Sequence, residues 1–97
     1  MSYTLYYLPR VEDDLSGAME YYYSKQVGLD LSLHKQFLEA IDYIKKHPLA
    51  FQMRYGSVRF VLLKSFPYFI AFEVVKNEII IHAMICSLND PNEWPKP

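Results

Sequence analysis

The sequence predicts an α+β domain: an N-terminal strand, then an antiparallel helical hairpin packed on one face of a small antiparallel sheet. Two observations carry this. Apolar residues recur at helical spacing from Val11 to Ile44 and stop at His47-Pro48. From Ser57 to Cys86 the chain then becomes extended, in three apolar segments joined by short turns.

Tyr3 to Leu8 suits a short strand, and Pro9 ends it and opens a helix. Glu12, Asp13 and Asp14 follow in the first turns, where helix amides favour negative charge. Val11, Leu15, Ala18, Met19 and Tyr22 share one side of this helix, which fades near Gly28. Gly17 either weakens it by about 1 kcal/mol relative to alanine or allows a close packing contact. In the second helix, Leu33, Phe37, Ile41 and Ile44 form an apolar stripe widened by Leu38 and Ala40, with Asp30 as the expected N-cap. Lys45, Lys46 and His47 occupy the last turn, the favourable end for positive charge.

Phe51 to Tyr55 is a short strand or an irregular lead-in, followed by a turn at Gly56. Ser57–Leu63, Tyr68–Val75 and Ile79–Cys86 are strands, the last expected at the centre of the sheet by its apolarity, and Lys76 to Glu78 is a tight connection. Asn89, Asp90 and Pro91 break the order, and Trp94 is placed to fold back. Strict alternation puts Ile79, Ile81, Ala83 and Ile85 on one face and Ile80, His82, Met84 and Cys86 on the other. Both faces of the sheet are then substantially apolar, and the helices cover only one. The other face is expected to be covered by the tail, a second copy or a separate protein.

The 97 residues suffice for one domain, spanning 1–97. Their 52% hydrophobic content excludes a disordered chain, and the net charge of −1 leaves no overall basic signature for nucleic acid. A single cysteine, Cys86, rules out an internal disulfide and fits a reducing compartment. Neither a signal peptide nor a membrane span is expected, so the sequence reads as cytoplasmic. No metal motif, cofactor motif or glycine-rich phosphate loop is found: His34, His47 and His82 are scattered, and the three glycines are isolated. His82 and Cys86 fall on one side of a regular strand but about 13 Å apart, too far to share a ligand or form a nucleophile–base pair. Cys86 reads as a buried structural residue and His82 as a partly buried sheet residue.

A metal-free nuclease needs bases near a phosphate and a group that moves a proton. Arg54, Arg59 and Lys64 are the candidate catalytic bases of the sheet region. Their bland alternatives are a solvated Arg54, a solvated turn residue at Lys64, and an ion pair between Arg59 and Glu73 on neighbouring strands. In Tyr21-Tyr22-Tyr23, at least one ring must face outward, which hints at an interface.

Val58-Arg59, Phe66-Pro67-Tyr68, Ile79 to Ala83, and Asp90-Pro91 with Trp94 together carry a resemblance. In that order, after a strand and two helices, they resemble the RelE/ParE superfamily of type II toxin–antitoxin toxins, nearest its plasmid-stabilisation, ParE-like branch. The resemblance spans nearly the whole chain. It implies a small cytoplasmic toxin wrapped and neutralised by an antitoxin protein. It further implies one of two targets: DNA gyrase, bound as a protein in the ParE manner, or mRNA on the ribosome, cut without a metal in the RelE manner. A third reading is a non-toxic binding module descended from the same fold, and a homo-oligomer is open under each. The chain departs from the family where arginine is usual, at Phe69 and Asn89, and where histidine is frequent, at Cys86. Neither phenylalanine nor asparagine supplies a cation to a phosphate, so the resemblance points to the protein-binding branch.

Overall fold

The computed structural model describes residues 2–88. The expected break at Asn89–Pro91 and the fold-back of Trp94 lie outside the described residues. In chain order the elements are β1 (Thr4–Tyr7), α1 (Arg10–Lys25), α2 (Leu29–Lys46), β2 (Met53–Tyr55), β3 (Val58–Leu62), β4 (Tyr68–Val75) and β5 (Glu78–Cys86). The strands form one sheet in the order β1-β5-β4-β3-β2. The sheet is mixed rather than wholly antiparallel, because β1 runs parallel to β5. The two helices lie between β1 and β2 in sequence.

Amphipathic spacing builds the core. Val11 and Ala18 of α1 and Leu33, Phe37, Ile41 and Ile44 of α2 are buried against Ile70, Phe72, Ile79, Ile81 and Met84 of the sheet. Burying such side chains contributes roughly 1.5–3 kcal/mol each. Leu38 is left outside the stripe and is exposed. The hairpin turns at Gly28, whose φ of 98° is a left-handed conformation open to glycine. Gly28 takes the N-cap position expected of Asp30, which lies instead in the first turn of α2, where its charge still meets the helix amides.

Alternation breaks at one point in β5. Ala71 pairs with Ala83, but the next residue, Phe72, pairs with Ile81. His82 is therefore an extra residue, a β-bulge. The bulge inverts the faces beyond it. Ile79 and Ile81 face the helices, but so does Met84, while Ala83 and Ile85 face away. The expected grouping of Ile79, Ile81, Ala83 and Ile85 on one face fails for this reason. His82 and Cys86 are likewise separated: Cys86 lies opposite Tyr68 of the helix-side core, and His82 turns to the far face.

The far face of the sheet holds a second core cluster of Val58, Phe69, Ala71, Ala83 and Ile85, with Tyr55 and Phe60 packed against it. Its five central residues are at most 4% exposed. Toward its margins the same face carries exposed apolar side chains, Leu62 opposite Phe69 and Tyr6 beside Ile80, and among the described residues others lie on β1, on the outer surfaces of the helices, on β2, and at Val75 and Leu88.

Candidate functional site

The three sequence-nominated bases belong to three surroundings. Arg59 stands on β3 opposite Phe72, so its side chain shares the helix-side face. Its Nη1 donates to the carbonyl of Phe51, and its Nε is buried with no hydrogen-bond partner. Lys64 follows β3 and lines a groove of about 380 Å³ between α2 and β3, with Gln36, Glu39, Ala40, Tyr43 and Phe51 among its walls. Arg54 lies on β2, at the irregular step between Met53 and Tyr55, and lines a hollow of about 410 Å³ with Phe60 and Phe69. Both depressions include Phe51, Val61 and Leu62. Arg54 and Lys64 thus flank the same border of the sheet from two sides, and Arg59 lines neither depression.

The expected Arg59–Glu73 ion pair does not form. Glu73 lies opposite Val58, one step along the register from the Arg59–Phe72 pair, and so on the other face. Its carboxylate instead links three strands' worth of structure. Ser57 Oγ donates to Glu73 Oε2 at 2.6 Å, and His82 Nε2 lies 2.9 Å from Glu73 Oε1. The Ser57 hydrogen bond is the main cause that holds the Glu73 carboxyl below the usual glutamate range; burial opposes it, and the bond and charge of His82 add to it. The side chains of His82 and Glu73 are 15% and 23% exposed.

This cluster was missed by sequence reasoning. Its one signal was a histidine and a glutamate set in otherwise apolar strands. Its connectivity decides its chemistry. The hydroxyl bonds to the carboxylate and not to the imidazole, so Ser57 has no adjacent base and the set is not a nucleophilic triad. Glu73 and His82 do form an acid–base pair of the kind that orients an imidazole.

On the helix side, Tyr22 packs edge-on against Phe66 at 4.9 Å and near Tyr68. Burial is the leading cause that raises the phenols of Tyr22 and Tyr68 above the usual tyrosine range. Tyr21 and Tyr23 face outward, as the run of three tyrosines requires. Cys86 is half-buried rather than fully buried. Among the described residues, no group of three or more histidine, cysteine or acidic side chains is placed to hold a metal. No helix among them is long and apolar enough to cross a membrane.

No family model and no curated protein sequence matches the chain. Solved structures do. The fold superposes on a chain of the chromosomal ParDE toxin–antitoxin (TA) system from P. aeruginosa with a TM-score of 0.75, over 86% of this chain and 94% of that one. The chain shares the fold of that ParDE-system chain. Sequence identity in that superposition is 18%, so the likeness is one of architecture. Within this fold the cations are dispersed, and Ser57, Glu73 and His82 form a partly buried polar cluster.

Proposed function

We propose that this chain is the toxin-like component of a type II toxin–antitoxin system, that it acts in the cytoplasm by binding a protein target such as DNA gyrase, and that a cognate antitoxin neutralises it. The observation that carries this reading is the structural likeness to a chain of a ParDE system over 86% of the present chain. Plasmid stabilisation is the physiological setting that the same reading implies.

The distribution of surface agrees with a protein-binding role. Leu62 is 69% exposed and Tyr43 51% exposed, and both line the groove beside α2. Large apolar side chains clustered at a groove are a feature of protein-interaction surfaces. The bases favour the same reading. Electrostatic stabilisation of a phosphate transition state needs cations converging on one point, whereas Arg59 is directed to the Phe51 carbonyl and Lys64 and Arg54 line different depressions. One observation speaks for the alternative, a metal-independent ribonuclease acting on mRNA at the ribosome: Glu73 and His82 form a pair able to move a proton.

The partner half of the proposal is tested by co-expression with the product of the reading frame adjacent to its gene. The expected result is a stable complex that elutes as one species in size-exclusion chromatography. Separate elution of two soluble proteins would argue against an antitoxin encoded there.

A further inference from the structure

β5 contains one residue more than its ladder uses. With His82 struck out, the strand would alternate without fault: Ile79, Ile81 and Met84 toward the helices, Ile80, Ala83 and Ile85 away from them. Every core residue of the strand already sits on the face that this bulge-free sequence would give it. The core therefore has no use for the extra position. A bulge disrupts a ladder and leaves a residue unpaired, and bulges serve to re-aim side chains.

The chain makes two provisions for this one residue. β1 ends opposite Ile81, where the Leu8 amide donates to the Ile81 carbonyl, so the bulge falls just past the edge of β1. Beyond it the Met84 amide has no strand on that side, and Asp14 of α1 accepts its hydrogen at 3.1 Å. On the far face, Glu73 holds the imidazole. An ionised carboxylate only accepts, so Nε2 carries the proton. In the neutral form of the ring Nδ1 is the acceptor, and no described residue bonds it.

We propose that His82 is a functional residue inserted into β5, carried on a bulge that the fold does not require, and that its imidazole, held by Glu73, is a contact for a hydroxyl or amide donor on the protein's target. The contact rests on the toxin-like reading above; the claim that His82 is surplus to the fold does not. Ser57 serves the site indirectly, by fixing the second oxygen of Glu73. It is a positioning residue.

Two variants test this together: deletion of His82, and His82→Ala, which keeps the bulge and loses the ring. The deletion is expected to fold, with an unchanged far-ultraviolet circular dichroism spectrum and a melting temperature equal to or above that of His82→Ala. Both variants are expected to lose the growth arrest produced by induced wild-type protein. A deletion variant that fails to fold, or melts below His82→Ala, would show that the sheet needs the extra residue and overturn the proposal. So would full growth arrest by both variants at wild-type soluble yield. If wild-type protein itself causes no arrest, the toxin-like reading falls, and the melting comparison alone decides whether His82 is surplus.

Discussion

Arg59 and Glu73 stand one register step apart on neighbouring strands, and that single step sends them to opposite faces. Each then finds a different solution to burial. Arg59 spends one donor on the Phe51 carbonyl, which ties the segment before β2 to the sheet, and leaves Nε without a partner. A buried unpaired donor is costly, by about 1–3 kcal/mol, and the Nη1 bond to Phe51 opposes that cost. Glu73 is satisfied on both oxygens. Its carboxyl is more acidic in the folded chain than in the unfolded one, chiefly through Ser57. The unfolded state therefore binds the proton first as pH falls. The stability that Glu73 contributes is fully present above the ordinary glutamate value and is lost as pH falls through its lowered folded value. Urea unfolding of the wild type and Glu73→Gln at a series of pH values checks this: the wild-type advantage should shrink on acidification across that window. A gap that stays constant or widens would contradict it.

At the scale of elements, α1 carries an imperfection that can be removed. Gly17 lies in the middle of the helix, and a β-carbon built there meets nothing within 4 Å. The alternative of a close packing contact is thereby settled against. Gly17→Ala should stabilise the protein by up to about 1 kcal/mol, which for a domain of this size raises the melting temperature by roughly 4–8 °C. A lowered melting temperature would indicate a contact that the helix geometry does not contain. The helices were legible in the sequence because their stripes are unambiguous: Val11 and Ala18 in α1, and Leu33, Phe37, Ile41 and Ile44 in α2, are all buried. The strands were legible as segments, but β5 was not legible in its facing. Nearly every residue from Ile79 to Cys86 is apolar, so either parity buries hydrocarbon, and the pattern contains no mark of the extra residue. The candidate site suffered from the same ambiguity. Arg54, Arg59 and Lys64 could be nominated by charge, but their directions depend on strand facing and on the irregular step in β2. The link between His82 and Glu73 joins neighbouring strands on the far face, and no spacing in the sequence marks that pairing. The parallel pairing of β1 with β5 was also hidden, since a four-residue strand has no pattern that names its neighbour.

For the whole molecule, the apolar excess read in the sheet divides between a covered centre and exposed margins. The centre of the far face is dry, and the exposed apolar side chains among the described residues include Tyr21, Tyr23, Val27 and Leu31 around the hairpin tip, and Tyr43, Leu49, Met53 and Leu62 around the end of α2 and the β2–β3 border, Leu62 lying at the margin of the far face opposite Phe69. The second group adjoins the groove lined by Lys64 and the hollow lined by Arg54. A partner gripping the molecule there would meet apolar walls with a base on either side. The proposed protein-binding role would use this surface. Induced expression in a bacterial host, with and without the adjacent reading frame, tests that claim most directly. The account predicts growth arrest by the chain alone, with cellular transcripts intact, and relief of that arrest by the neighbour. Normal growth at good soluble expression, or arrest accompanied by cleaved transcripts, would contradict it.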